Sequence, residues 1–341
     1  MDEDHYGLTA RPFALTPDPA FWFDTATHRK AMAYLGYGLH LGEGFIVITG
    51  DVGAGKTILV GHLMATIDRD RLHVVRLAST QLGADDLLRM VADGLEVDGS
   101  GMTKAQLLVA IERGLHAVAR SGRRTLLIVD EAQALAIEAL EELRMLSNFQ
   151  AGGQALLQIF LLGQPEFRAA LQGSDRLEQL RQRIIAVHHL DPMGPDEVAP
   201  YIGHRLALAG WQGRPGFTAG ACQALHRGSG GVPRLLNQLA GRVLLQGAIE
   251  GRDVIDGALV EAVIADIAAD LPVTTEPAAA PAAPAAIAAA IVPETSEAPA
   301  RLAMIEARQD QQDAALRRVL TLLVDWIEGE DARALRGNRA A

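Results

Sequence analysis

The sequence predicts an α/β fold organised around a five-stranded parallel sheet and followed by a smaller helical unit. Three observations carry this expectation: five short apolar runs alternating with helical patterns between residues 41 and 190, a glycine-rich turn directly after the first run, and the loss of strand-like segments beyond Pro195. The runs are GFIVIT (44–49), LHVVRLA (72–78), TLLIVD (125–130), LLQIFLLG (156–163) and IIAVHHL (184–190). Such unbroken Val, Ile and Leu content suits strands buried on both faces of a parallel sheet, with the intervening helices forming right-handed crossovers.

Taken along the chain, residues 1–40 form a lead-in segment and residues 41–192 the α/β domain. One helix start inside that domain is well marked: Thr103 and Gln106 have capping-box spacing, each side chain able to satisfy an orphan amide of the first turn. Residues 193–270 read as a small helical domain, in PDEVAPYIGHRLALAG, FTAGACQALHRG, PRLLNQLAGRVLLQGAIEG and GALVEAVIADIA. Residues 271–300 are rich in Ala and Pro, cannot support a packed core and read as an extended, disordered tether. In 301–330 an amphipathic helix is expected, because Leu302, Ile305, Gln309, Gln312, Leu316, Val319, Leu323 and Trp326 form a heptad seam. That helix either folds back on its own protein or pairs with a second copy or another partner. Residues 331–341 read as a disordered tail.

With 341 residues, 49% of them hydrophobic, the chain can bury more than one core. A formal net charge of -11 opposes non-specific binding to nucleic acid or to an anionic membrane, though a local basic patch remains open. The single cysteine, Cys222, lies in a helical apolar pattern and reads as a buried reduced thiol, which suits a cytoplasmic location. The acidic start MDEDHYGLTARPF has no signal-peptide layout. The most membrane-like stretch, Ala278 to Val292, is short, alanine-rich and interrupted by Pro281 and Pro284, so no transmembrane segment is expected.

The glycine-rich turn is GDVGAGKT, Gly50 to Thr57. It fits G-x-x-x-x-G-K-[ST] and sits between a strand and a helix-compatible segment, as a phosphate-binding loop requires. Its residues Gly50, Asp51, Val52, Gly53, Ala54, Gly55, Lys56, Thr57 and Ile58 are therefore expected to bind ATP. Glycines let backbone amides turn onto the phosphates, and the helix N-terminus adds its dipole. Lys56 is expected to reach the β- and γ-phosphates, and Thr57 to give its hydroxyl to Mg²⁺. The bland alternative is a glycine turn with an incidental lysine.

Downstream, LLIVDEAQ ends an apolar run in Asp130 and Glu131. Asp130 is placed to hold the Mg²⁺ shell and Glu131 to deprotonate an attacking water. Two carboxylates that merely cap the following helix would look similar. A protein that only stores nucleotide needs no water-activating glutamate, so ATP hydrolysis is the expected activity. His188 and His189 are neighbours on a strand, face opposite ways and cannot easily share a metal.

These residues resemble the AAA+ ATPases of the ExeA or general secretion pathway A type, a group related to the MuB and TniB transposition ATPases. The resemblance covers residues 6 to about 268 and rests on YGLTARPFALTPDPAFWF, GEGFIVITGDVGAGKT, LLIVDEAQAL, LLGQPEF, LRQRI and SGGVPRLLNQL. Within that group the sequence looks most like the ATPase encoded with exosortase (PEP-CTERM) and exopolysaccharide export systems, because ARLAMIEARQDQQDAALRRVLTLLVDWIEG follows an Ala/Pro tether. Secretion-type relatives continue into a membrane span and a periplasmic peptidoglycan-binding region; this sequence shows neither, so cell-wall binding is not expected.

The resemblance implies that the strand ending at Gly163 lies between the phosphate-loop strand and the Asp130 strand, with Gln164 as a polar sensor of the γ-phosphate. It implies that Arg234 reaches the γ-phosphate from the helical domain, and that Arg181 or Arg183, with Arg183 first, serves the nucleotide of a neighbouring subunit in a ring or filament. It further implies a cytoplasmic ATPase, peripheral to the inner face of the inner membrane, that drives or regulates an export system and is held to that machinery by the C-terminal helix. Two other functions stay open: a DNA-associated ATPase of the transposition type and a slow, nucleotide-gated scaffold.

Overall fold

The computed structural model describes residues 5–78 and 82–270. The expected tether, C-terminal helix and tail lie outside the described residues. Along the chain the major elements are helix α1 (Ala26–Leu41), strand β1 (Phe45–Gly50), α2 (Lys56–Thr66), β2 (Leu72–Ala78), α3 (Ala84–Gly94), α4 (Lys104–Arg120) and β3 (Arg124–Asp130). Then come α5 (Ile137–Leu146), the short strands β4 (Gln150–Ala151) and β5 (Gln154–Ala155), β6 (Leu157–Gly163), α6 (Pro165–Gly173), α7 (Glu178–Arg181) and β7 (Ile184–Leu190). Helices α8 (Pro195–Leu208), α9 (Ala219–Ser229), α10 (Pro233–Ile249) and α11 (Gly257–Asp270) follow, with strands β8 (Gly216–Phe217) and β9 (Val254–Ile255) among them.

The main sheet has five strands in the order β2-β3-β6-β1-β7, all neighbours parallel. β6 therefore separates the phosphate-loop strand from the Asp130 strand, as the resemblance implies. β1 and β6 are buried at every position, and β3 at all but Arg124, whereas the edge strands β2 and β7 are only partly covered. Side-chain alternation splits the central strands between two cores. Phe45, Val47, Leu127, Val129, Ile159 and Leu161 pack with α3, α4 and α5 on one face. Ile46, Ile48, Leu126, Ile128, Phe160 and Leu162 pack with α1 and α2 on the other.

The third core belongs to α8 to α11 and includes Tyr6, Leu8 and Phe13 of the lead-in. The lead-in thus tracks from the helical core to the sheet, where Trp22 packs on the second face and Asp18 caps a short 3-10 turn over Pro19–Phe21. The expected capping box at α4 is present, with Thr103 and Gln106 satisfying each other's backbone amides. Cys222 is buried on α9 as a free thiol. Two features depart from the sequence pattern. A two-residue hairpin, β4 with β5, precedes β6, and a two-residue parallel pair, β8 with β9, ties the helical part together. Pairs this short have no periodicity to betray them. Among the described residues, no helix is long and apolar enough to cross a membrane.

Candidate active site

The carboxyl ends of β1, β3 and β6 converge because the strands are parallel, and this end of the sheet carries the candidate site. After β1 the chain turns through Asp51–Gly55 into α2. Gly53 (φ 89°) and Gly55 (φ 97°) hold backbone that side chains with a Cβ rarely adopt. Gly55 is the N-cap of α2 and brings no side-chain cap, so the first amides of the helix are left for another acceptor. Lys56 is 6% exposed, and its Nζ donates to the carbonyls of Gly50 (2.6 Å) and Asp51 (3.0 Å). Burial holds the Lys56 ammonium below its usual range, with Glu131, Asp130, Asp51 and Glu166 acting in the opposite sense.

Asp130 closes β3 and is 8% exposed. Its Oδ1 accepts the backbone N–H of Glu131 at 3.0 Å, and its Oδ2 lies 3.6 Å from Nη2 of Arg76 on β2. Glu131 adopts the left-handed region (φ 55°, ψ 42°), uncommon outside glycine and asparagine, and so turns sharply out of the strand. Its Oε2 accepts from Gln164 Nε2 at 3.2 Å and from Gln133 Nε2. Burial pushes the Glu131 carboxyl up, but the two amide donors and the Lys56 charge outweigh it, and the group is held below the ordinary glutamate range.

A cleft of about 260 Å³ gathers most of the residues expected from sequence. Val52, Gly53, Gly55, Lys56, Thr57 and Ile58 form one wall, Glu131 and Gln164 a second, and Arg234 a third. Gly50 and Asp51 serve through the carbonyls that hold Lys56, and Ala54 is buried within the loop. Arg234, in the first turn of α10, donates its backbone N–H to Gly53 O at 3.2 Å.

Arg181 and Arg183 are not in this cleft. The carbonyl of Arg183 accepts from Phe45 N–H at 3.0 Å, which fixes Arg183 at the amino end of β1 and β7. The six residues of β1 separate it from the phosphate loop by on the order of 20 Å. Its Nη1 donates to Ser147 Oγ at 3.2 Å beside a separate cavity of about 240 Å³. Arg181 is tied down more fully, donating to the carbonyls of Leu171 and Gln172 at 2.8 Å each and pairing with Glu178.

Several residues at the site have no role that local sequence assigns them. Ala14 to Pro17 of the lead-in line the cleft together with Arg205 and Asn237 of the helical part. Arg205 is 4% exposed, stacks over Phe21 and Tyr201, and has an unpartnered Nε. His28 is buried against the phosphate loop: a Cβ on Gly55 would stand 2.7 Å from its Nε2. Gln133 bridges Glu131 and the backbone of Gln164. Each of these contacts joins segments far apart in sequence or depends on the strand order.

The AAA domain family matches residues 40–171. General secretion pathway protein A of Aeromonas hydrophila is 37% identical over 252 residues, 74% of this chain and 46% of the relative, so the chain spans about half the length of that protein. Among solved structures, the ORC2 protein of Aeropyrum pernix in its ADPNP-ADP complexes aligns with a TM-score of 0.53 at 15% identity, covering 74% of this chain and 72% of that one. Cdc6p of Pyrobaculum aerophilum aligns with a TM-score of 0.53 at 16% identity, covering 72% of this chain and 67% of its own. At such identities these two show the fold.

Proposed function

Because the chain belongs to the AAA ATPases and is related to general secretion pathway protein A, we propose that it binds Mg²⁺-ATP in this cleft and hydrolyses it to drive or regulate an export or assembly system linked to exopolysaccharide or exosortase-dependent sorting. The observation that supports hydrolysis most is that Lys56, Thr57, Glu131, Gln164 and Arg234 line one cleft.

The residues present fit a magnesium-bound triphosphate. Gly53 and Gly55 let the loop backbone approach an anion closely, and a Cβ on Gly53 would collide with Arg234 Cβ at 2.4 Å. The Thr57 hydroxyl and the Asp130 carboxylate are the hard oxygen donors Mg²⁺ takes, and the bound ion supplies Lewis-acid neutralisation of phosphoryl charge. Lys56 holds the β- and γ-phosphates. Glu131, ionised at neutral pH, accepts the proton of the attacking water, and Gln164 beside it orients that water. Arg234 places a cation from the helical part against the phosphates, so nucleotide state feeds into the packing of α10 on the loop.

Arg183 cannot reach the cleft of its own chain. In this reading it completes the site of a neighbouring copy in a homo-oligomeric ring or filament, with Arg181 the second choice for that role. The protein then acts in the cytoplasm or at the inner face of the inner membrane, held to its machinery by the 301–330 segment. The test is ATP binding and turnover by the full-length chain with Mg²⁺ present. Micromolar binding, lost by about 10- to 150-fold in Lys56→Ala because a charge-assisted contact is removed, supports the reading. Turnover strongly stimulated by duplex DNA, with the stimulation falling as salt rises, would favour the transposition-type alternative.

A further inference from the structure

We propose that Gln133 is a positioning residue for hydrolysis: its side-chain amide ties Glu131 to the end of β6 and leaves Glu131 Oε1 as the oxygen that takes the proton of the attacking water. The inference rests on the reading of Glu131 as the water-activating base.

The hydrogen bonds fix the amide orientation without ambiguity. The backbone N–H of Gln164 can only donate, and it meets Gln133 Oε1 at 3.0 Å. The amide nitrogen must then face the Glu131 carboxylate, which only accepts, and it donates to Oε2. Gln164 Nε2 reaches the same oxygen at 3.2 Å. Oε2 thus carries two amide donors, whereas Oε1 has no hydrogen bond among the described residues. Glu131 and Gln164 line the cleft and Gln133 lies outside it. Gln133 therefore acts on the chemistry through Glu131.

The backbone makes such a bracket necessary. Glu131 leaves β3 in a left-handed conformation, so nothing in the strand itself directs its side chain. Val129 of β3 pairs with Leu161 of β6, which brings the start of the Gln164 segment alongside the Glu131 turn. Gln133, two residues on in a short 3-10 turn, spans the two strand ends. Holding Oε2 fixes the plane of the carboxylate and with it the direction in which Oε1 faces.

The test compares kcat and KM for ATP hydrolysis by the full chain in four forms: wild type, Gln133→Ala, Gln133→Glu and Glu131→Gln. Gln133→Ala is expected to lower kcat on the order of 10- to 100-fold through misplacement of the base, with KM for ATP changing by less than about twofold. Gln133→Glu keeps an acceptor for the Gln164 N–H but replaces the donor to Glu131 Oε2 with a second carboxylate, so it too should lower kcat at nearly unchanged KM. This variant is nearly isosteric and carries the test alone should the alanine variant not fold. Unchanged kcat in the Gln133 variants, with Glu131→Gln slow, would overturn the role of Gln133. Wild-type turnover by Glu131→Gln would instead overturn the reading of Glu131 itself.

Discussion

The backbone N–H of Arg234 donates to the carbonyl of Gly53 at 3.2 Å, so the first turn of α10 rests directly on the phosphate loop. Gly53 has no room for a side chain at this contact, because its Cβ would stand 2.4 Å from Arg234 Cβ, and its φ of 89° is strained for any other residue. Gly53→Ala is expected to cost about 1–2 kcal/mol in stability from the backbone alone. ATP affinity should fall by about 10-fold or more as the loop and α10 are pushed apart. Thermal unfolding and equilibrium ATP binding of the variant check both effects; wild-type values for each would show that the loop and α10 are not packed as described.

Arg183 lies at the amino end of the sheet, remote from Lys56 of the same chain. Arg183→Ala should leave ATP affinity within about twofold of wild type while lowering turnover about 10³-fold or more, the range typical of an arginine supplied in trans. Wild-type turnover should rise steeply with protein concentration as copies assemble. Mixing the variant with Lys56→Ala, each supplying what the other lacks, should restore part of the activity. Complementation that fails while both variants bind each other would count against the assignment.

His28 contributes a pH dependence to stability. It is buried behind Gly55, its Nδ1 pairs with Thr25 Oγ1 at 2.6 Å, and burial lowers its pKa to about 4, with Asp24 and Glu197 opposing. The unfolded chain then binds a proton near the ordinary histidine value of about 6.5 while the folded chain does not. Stability is fully present above pH ~6.5 and is lost progressively as pH falls towards 4, by on the order of 3 kcal/mol. Denaturant unfolding between pH 7 and 4 should show this slope, and His28→Gln should flatten it. An equal slope in the variant would assign the effect to other groups.

The core of the site is legible in sequence where the chemistry is local. Gly50 to Thr57 are contiguous, and Asp130 closes, and Glu131 follows, a strand whose apolar run ends where the observed strand ends. The five main strands lie within a residue of their sequence limits because burial on both faces leaves an unbroken apolar run. What the sequence does not reveal depends on contacts between distant segments. The amide of Gln133 matters only because β6 lies beside β3, and Arg205 and Asn237 reach the cleft only through the folding of α8 and α10. The lead-in reads as one segment in sequence, yet Tyr6 and Phe13 belong to the helical core and Trp22 to the sheet. The β8 and β9 pair is too short to leave a pattern.

Single-turnover hydrolysis of radiolabelled ATP by Glu131→Gln separates activation of water by Glu131 from the holding of ATP by the phosphate loop. The side chain keeps its size and loses its ability to accept a proton. ATP is expected to stay bound at wild-type affinity and to be cleaved on the order of 10²- to 10⁴-fold more slowly, the usual contribution of a positioned base. Cleavage at the wild-type rate, or a folded wild-type protein that takes up no ATP with Mg²⁺ present, would contradict activation of water by Glu131 against ATP on this loop.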